Sequence, residues 1–366
     1  IAIWESPKTG LRTLYTNGHK MSGTTLFAQR YMRAFVHIPL LHVDAPERTL
    51  VICFGVGNTL HATSLHPTVK RLEIADLSEH VLGHADDFGT WNQGVLADPR
   101  MHVFVNDGRQ HLRMQPEASY DLITLEPPPL AFAGVGGLYS REFYALAKTR
   151  LKPTGFMTQW LPAYQLEGPH VLAAVRAFVE VYPNAIMFAG DRAELILMGR
   201  ADDQPIQLSP ADWAARLAKR PKVAHDLRRI RMTRPVDFFG AFAAGTQTLT
   251  GSVANVEPLT DDLPLMEYSV GALREDIFPE TIYGPEEIGT WCPACIVDGK
   301  PARGLEGLDI YLAILADYYR SPRFRLTTTV RQLPPWQYSL PVSDDLARPV
   351  YKATEYLDMV IPWRGQ

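Results

Sequence analysis

Glycines and acidic residues follow four apolar runs of this sequence, each at the point where the run ends. Gly55 and Gly57 follow the first run, Asp76 the second, Asp107 the third and Glu126 the fourth. Parallel strands bring such residues together at the carboxyl edge of their sheet, where open α/β sheets bind ligands. Glycine also lets a ligand approach the backbone closely, and the helix that follows offers free N–H groups. The set therefore predicts a binding site at this edge.

Two of the three acids suit the parts of an adenosine, and the third suits an attacking nucleophile. Asp76 lies about 20 residues past the glycines, where a carboxylate accepts hydrogen bonds from both ribose hydroxyls. Asp107 could accept one from the adenine amino group, and Glu126, on a loop stiffened by three prolines, could orient or deprotonate an amine or hydroxyl nucleophile. Leu60 stands where a dinucleotide fingerprint has its third glycine, so S-adenosylmethionine or a relative is favoured over a nicotinamide. Each feature also has a structural alternative: an ordinary strand-to-helix turn, a helix-capping acid and a salt-bridged loop acid.

The apolar runs alternate with helical segments between residues 46 and 200. This alternation predicts an α/β, Rossmann-like fold, a parallel sheet with helices on both faces that ends in an antiparallel hairpin at 185–198. Near the N-terminus, Asn17 and Gly18 predict a tight turn after a strand. We divide the chain into an N-terminal β-rich segment (1–45), a Rossmann-like S-adenosylmethionine-type domain (46–200) and a helical, proline-rich extension (201–366).

The composition disfavours several classes of protein. The chain has 366 residues, of which 46% are hydrophobic, and a formal charge of −4, which argues against a general nucleic-acid binder. No apolar run reaches the ~18 residues of a membrane-spanning helix, and the N-terminus lacks the features of a signal peptide. We therefore expect a cytoplasmic protein. Because the sequence begins with Ile1 instead of Met, a preceding membrane domain and membrane association stay open.

Three cysteines are too few for a disulfide-stapled scaffold. Cys53 lies within a predicted strand and is expected in the core. Cys292 and Cys295 have CxxC spacing, which leaves open an idle structural pair, a local disulfide, a metal half-site and a redox motif. His80 and His84 have an i, i+4 spacing that could suit a metal, but they form no recognisable ligand motif, and we predict no metal site.

Several stretches together resemble the spermidine synthase family of aminopropyltransferases, within the class I methyltransferase-like folds. The resemblance is carried by Asn-Asp-Gly-Arg at 106–109, by Leu-Tyr-Ser-Arg-Glu-Phe-Tyr at 138–144 and by Thr-Asp-Asp-Leu-Pro-Leu-Met-Glu-Tyr at 260–268. The last stretch resembles the branch whose soluble domain is often fused behind a membrane domain. The resemblance implies that Gly55 and Gly57 form the cofactor loop, that Asp76 binds ribose, that Asp107 and Gly108 contact adenine, that Glu126 activates an amine and that Tyr139 lies in a loop closing over the substrate. Relatives of this fold commonly form dimers, so a homodimer is expected.

Two departures from the family concern the acceptor side of the site. Val56 stands where the family's glycine loop has an acid, and Glu126 with three prolines replaces a run that carries two acids. A diamine needs acids at both cationic ends, so putrescine is disfavoured as the acceptor. We therefore favour a transferase that uses S-adenosylmethionine or its decarboxylated form, with methyl transfer slightly ahead of aminopropyl transfer to an unknown small acceptor.

Four further residues are candidates for the acceptor pocket: Tyr31, Gln159, Asp261 and Asp262. Tyr31 has a core aromatic role as its alternative, and the two aspartates could cap a helix instead. The departures from the family also leave two other functions open. One is a non-catalytic, synthase-like scaffold subunit of a larger, membrane-bound assembly, and the other is a regulatory domain that binds a nucleotide without turnover.

Overall fold

The computed structural model describes residues 1–128, 132–162, 167–191, 194–268 and 279–320. The strands of this part of the chain are β1 Ala2–Glu5, β2 Arg12–Thr16, β3 His19–Gly23, β4 Arg48–Ile52, β5 Arg71–Asp76, β6 Met101–Val105, β7 Tyr120–Leu125, β8 Leu151–Pro162, β9 Ile186–Asp191, β10 Glu194–Arg200, β11 Phe242–Ala244, β12 Ile296–Val297 and β13 Lys300–Pro301. The helices are α1 Leu26–Leu40, α2 Asn58–Ser64, α3 Glu79–Gly83, α4 Gly89–Asn92, α5 Gly108–Arg113, α6 Arg141–Arg150, α7 Gly168–Val181, α8 Pro210–Ala218, α9 Pro221–Arg229, α10 Pro235–Phe239, α11 Thr246–Ser252, α12 Ile288–Trp291 and α13 Leu308–Arg320.

The central sheet of the described residues has its strands in the order β11, β9, β10, β8, β7, β4, β5, β6. The strands from β8 through β6 pair in parallel, while β10, β9 and β11 are antiparallel to their neighbours. Elements on both faces cover β4, β5 and β7, so nearly all of their residues are buried. The predicted Rossmann-like α/β fold and its closing hairpin, β9 with β10, are confirmed.

A separate antiparallel sheet of β1, β2 and β3 lies at the N-terminus. Asn17 and Gly18 connect β2 to β3 with φ values of 52° and 80°. Two successive residues with positive φ make the hairpin turn whose twist matches that of the strands. The predicted turn is therefore confirmed, and it joins β2 to β3 as an antiparallel pair.

Helix α1 packs across the face of the central sheet against β7, β8, β9 and β10. Thr25 caps its N-terminus, because the Thr25 hydroxyl accepts a hydrogen bond from the backbone N–H of Ala28. The helix buries Arg33 and His37 completely. Both bind Asp226 of α9: Arg33 Nη1 lies 3.0 Å from Asp226 Oδ2, and His37 Nε2 lies 2.9 Å from the same oxygen. Buried charges need such partners, so these three side chains fasten the C-terminal extension to α1.

The described part of the extension, residues 201–268 and 279–320, contains the helices α8 to α13, as predicted. It also adds β11 to the edge of the sheet, where β11 pairs with β9. A strand of three residues is too short to leave a periodic pattern in the sequence. The extension also inserts Trp291 into the core. The Trp291 ring packs against Phe188 of β9 and Phe242 of β11, with ring centroids 4.9 and 5.8 Å apart. Extension and sheet therefore share one hydrophobic core.

Cys292 and Cys295 form a disulfide bond, and both are fully buried beside Trp291. Of the alternatives open for this pair, the structure has the local disulfide. Across the described ranges, no three His, Cys, Asp or Glu side chains come close enough together to hold a metal ion. Within those same ranges, no helix combines the length and the apolar character needed to cross a membrane.

Candidate functional site

A cavity of about 730 Å³ lies at the carboxyl edge of the parallel strands. Its volume is in the range of small-molecule sites. The sequence-predicted residues that line it are Gly55, Asp76, Asp107, Gly108 and Glu126. Leu14 and Met21 of the N-terminal sheet add an apolar wall. The three acids and the glycine predicted at four separate strand ends are thus brought together in one cavity.

The turn after β4 explains the two glycines of the predicted cofactor loop. Gly57 has φ +81°, and a Cβ added there would lie 2.7 Å from a ring carbon of Phe54 and 2.9 Å from Cβ of Asn92. Gly57 therefore shapes the turn into α2, and it is Gly55 that lines the cavity. Gly55 also has positive φ, at +54°, which is a conformation that favours glycine.

Cys53 precedes these glycines and lines the same cavity. The sequence predicts this residue in the core and does not indicate its position in the cavity wall. Its φ of 72° lies in the left-handed region, where residues with a side chain are strained. Burial raises the pKa of the Cys53 thiol well above its ordinary value, and the charges of Asp76 and Glu126 raise it further. Cys53 is therefore a neutral thiol in the cavity wall.

Asp76 is fixed by the backbone around it. Its Oδ2 accepts a hydrogen bond from Phe54 N at 2.7 Å, and its Oδ1 accepts one from Ser78 N at 2.8 Å. Burial raises the pKa of this carboxyl, while the two N–H donors oppose the shift. Each carboxylate oxygen can accept a second hydrogen bond. The Asp76 carboxylate, held on one side by the backbone, thus fits a pair of hydroxyl donors in the cavity.

Asp107 and Gly108 bring the start of α5 against the end of β4. Asp107 caps the helix, because its Oδ1 accepts a hydrogen bond from Gln110 N at 2.8 Å. A Cβ on Gly108 would lie 2.3 Å from Ile52 Cγ2, so this position requires glycine. The apolar side chains of Leu77 and Val105 line the cavity as well. Together these residues fit a flat, partly polar group such as a purine.

Glu126 follows β7 and lines the cavity beside Pro127 and Pro128. Burial raises the pKa of Glu126 to about 8, the Tyr31 hydrogen bond opposes the shift and the charge of Glu194 adds to it. The Tyr31 hydroxyl donates to Glu126 Oε1 at 2.5 Å. Glu126 therefore carries a proton near neutral pH in this arrangement, and Tyr31 fixes one of its oxygens.

Trp160 and Glu194 continue the contacts of Tyr31 and, like Tyr31, are not among the residues that line the cavity. These two residues were not singled out from the sequence. The Trp160 ring stacks on Tyr31, with centroids 6.4 Å apart, and its Nε1 donates to Glu194 Oε2 at 2.6 Å. Trp160 directly follows the candidate Gln159 in sequence, which was a usable signal. Glu194 begins the hairpin strand β10, and only the pairing of β10 with β8 brings it here.

Tyr139 and Gln159 are both fully buried and lie outside the described cavity wall. The Tyr139 hydroxyl and Gln159 Nε2 both donate to the carbonyl oxygen of Trp160, at 2.8 and 3.2 Å. Burial raises the pKa of the Tyr139 hydroxyl well above its ordinary value. In the structure these two side chains support the backbone of β8 and do not line the cavity.

The structure places Asp261 and Asp262 outside the described cavity wall as well. Asp261 accepts two hydrogen bonds from Arg109 of α5, at 2.6 and 2.5 Å, and a third from Ser140 Oγ at 2.7 Å. The Arg109 hydrogen bonds hold the pKa of Asp261 below its ordinary value. Asp262 is exposed. Asp261 thus binds the protein's own arginine beside the cavity.

Part of this chain is similar in sequence to a known protein family. Residues 28–188 match the family described as "Spermine/spermidine synthase domain". The chain is 32% identical over 127 residues to polyamine aminopropyltransferase 2 of Pseudomonas aeruginosa, an alignment that covers 34% of this chain and 36% of the relative. It is 27% identical over 198 residues to the polyamine aminopropyltransferase of Nitrosomonas europaea, covering 52% of this chain and 59% of the relative.

Among solved structures, a spermidine synthase in complex with the transition-state analogue AdoDATO aligns with a TM-score of 0.49 and 21% identity, over 56% of this chain and 71% of that one. Residues 28–188 are similar to the spermine/spermidine synthase domain. They include β4, β5, β6 and β7, at whose ends Gly55, Asp76, Asp107 and Glu126 line the cavity. The chain spans about a third of the length of the Pseudomonas aeruginosa relative and about three fifths of the length of the Nitrosomonas europaea relative.

Proposed function

We propose that this protein is an aminopropyltransferase that uses decarboxylated S-adenosylmethionine as donor and a small amine as acceptor. The observation that carries the proposal is the set of acids in one cavity: Asp76 and Asp107 at the adenosine end and Glu126 at the acceptor end. The named relatives of the matching segment support the same chemistry.

Each of these residues has a separate role in the proposed reaction. The Asp76 carboxylate holds the ribose hydroxyls, and Asp107 with the adjacent apolar wall holds the purine. The acceptor nitrogen attacks the aminopropyl carbon bound to the sulfonium sulfur, the new C–N bond forms as the C–S bond breaks, and methylthioadenosine leaves with the electron pair. The proton of the acceptor nitrogen passes to the Glu126 carboxylate, which Tyr31 orients. Positioning of the two reactants supplies most of the acceleration.

The relatives favour aminopropyl transfer over methyl transfer. The departures at Val56 and after Glu126 had placed methyl transfer slightly ahead, but neither the methyl option nor a non-catalytic scaffold finds support among the named relatives. A buried Glu126 suits a cationic amine, because the approaching charge stabilises the carboxylate form. The loss of the family's second acid argues for an acceptor other than putrescine, or for a different group at its far end.

The test is release of methylthioadenosine by the purified chain. Decarboxylated S-adenosylmethionine is incubated with each of a set of linear diamines and triamines, and the products are separated by chromatography. S-Adenosylmethionine replaces the donor in a parallel set. We expect methylthioadenosine and an aminopropylated amine only with the decarboxylated donor.

Two variants separate the ends of the site. Asp76→Ala is expected to abolish binding of methylthioadenosine in a calorimetric titration, and Glu126→Gln is expected to keep binding but lose turnover. Transfer from S-adenosylmethionine alone would replace the proposal by methyl transfer. A folded native chain that binds none of these adenosine compounds would contradict it and favour the scaffold.

A further inference from the structure

Residues 132–138, which we call the cavity loop, form part of the cavity wall, and Phe132 packs against His19 of β3 with ring centroids 5.0 Å apart. Phe132, Ala133, Gly134, Val135 and Leu138 all line the cavity. A ligand in the cavity therefore contacts this loop, and the loop's position decides the shape of the donor site.

Glu267 holds the cavity loop from outside. Its Oε1 accepts hydrogen bonds from the backbone N–H of Gly134 at 2.8 Å and of Gly136 at 3.1 Å. A Cβ on Gly136 would lie 3.1 Å from the same Oε1, so glycine allows this close approach. Gly134 adopts φ +83°, which also favours glycine. Two glycines of the loop are thus arranged around one carboxylate oxygen.

Residues 260–267, which we call the anchor segment, bring Glu267 to this place. Met266, next to it, is fully buried in the core. At the other end of the segment, Asp261 binds Arg109 and Ser140, and Arg109 Nη1 also donates to the carbonyl of Gly137 at 3.3 Å. Arg109 follows Gly108 of the cavity wall. The anchor segment therefore joins the cavity loop to the adenosine end of the site.

We propose that Glu267 is a positioning residue for the donor site: it holds the cavity loop in the arrangement that binds the adenosine part of the donor. The proposal rests on the proposed function for the identity of the ligand. It adds a role for a residue that touches neither the donor nor the acceptor, and it explains why two backbone N–H groups of the wall converge on one carboxylate.

The first experiment measures amide hydrogen exchange in the unliganded protein. Glu267→Ala removes the acceptor, so exchange is expected to speed up roughly tenfold at Gly134 and Gly136, the effect of losing hydrogen bonds to a charged group. Glu267→Gln keeps an acceptor oxygen and is expected to stay within a few-fold of native. Glu257→Ala, at an exposed glutamate earlier in the same region, is the matched control and should leave the loop unchanged.

The second experiment titrates methylthioadenosine into the same variants. Glu267→Ala is expected to weaken binding roughly tenfold, with rescue by Glu267→Gln and an unchanged melting temperature. Native exchange at the two glycines in Glu267→Ala, or faster exchange throughout the protein with a lower melting temperature, would overturn the proposal, as would native affinity in a variant whose loop is freed. If the native chain binds no methylthioadenosine, the proposed function fails, and the exchange data still decide whether Glu267 holds the loop.

Discussion

In the proposed reaction Glu126 accepts a proton, and its burial predicts a pH profile. Because the pKa of Glu126 is raised to about 8, the carboxylate fraction of the free enzyme grows as pH rises toward that value. We expect kcat/KM to increase with pH up to about 8 and then to level off. The measurement is the steady-state rate between pH 6 and pH 9 at fixed ionic strength.

The matched variant is Glu126→Gln, which keeps an oxygen to accept the Tyr31 hydrogen bond. It is expected to lose roughly 10²- to 10⁴-fold in rate, the usual range for a general base, together with the rise toward pH 8. A variant with nearly native rate and an unchanged profile would show that another group accepts the proton.

Cys53 is a side chain in a backbone conformation that favours glycine, and this predicts a stabilising substitution. Relief of the left-handed strain is worth ~1–2 kcal/mol, while glycine costs roughly 0.5–1 kcal/mol in chain entropy. Cys53→Gly is therefore expected to raise the free energy of unfolding by about 0.5 kcal/mol, measured by urea denaturation. Lower stability would mean that the Cys53 side chain contributes packing that outweighs the strain.

At the scale of elements, the contact between β4 and α5 depends on the absence of a side chain at Gly108. A Cβ at this position would lie 2.3 Å from Ile52 Cγ2, so the helix or the strand must shift to accept one. We expect Gly108→Ala to lower the free energy of unfolding by roughly 1–3 kcal/mol, measured by urea denaturation.

The double variant Ile52→Ala with Gly108→Ala tests the cause. Ile52→Ala removes the side chain beyond Cβ, including Cγ2, and so relieves the overlap. The two costs should therefore be less than additive by roughly 0.5–3 kcal/mol. Strict additivity would place the cost of Gly108→Ala somewhere other than Ile52.

Local patterns in the sequence predict some elements well and others poorly. The buried strands β4, β5 and β7 and the turn at Asn17 were predictable, because continuous apolar runs and an Asn-Gly pair are local signals. The acids at the strand ends follow from the same signals. The partner of Asp261 was not predictable, since Arg109 lies 152 residues away in sequence and only the packing of α5 brings the two together.

At the scale of the whole molecule, a small charged cluster joins α1, which packs on the central sheet, to α9 of the extension. Arg33 of α1 is fully buried, and Asp226 of α9 supplies its countercharge. Asp226→Ala leaves this arginine without that charge, so we expect a loss of roughly 3–5 kcal/mol in the free energy of unfolding. Arg228→Ala, on the exposed side of the same helix, is the control and should change stability little. Chemical denaturation of both variants measures the effect, and equal losses would show that α9 is held mainly by its apolar side.

Strand β11 is synthesised after β9, the strand whose edge it covers. Its residues 242–244 cover an edge of β9 that is otherwise open, and β9 is apolar and buried over Ile186 to Ala189. An uncovered apolar edge invites pairing with other chains. Ribosomes add residues one at a time, so the ~50 residues between β9 and β11 take about 3–10 s to synthesise. During that interval the edge of β9 in the nascent sheet is unprotected. The yield of native protein therefore depends on the speed of translation through this stretch and on the availability of chaperones.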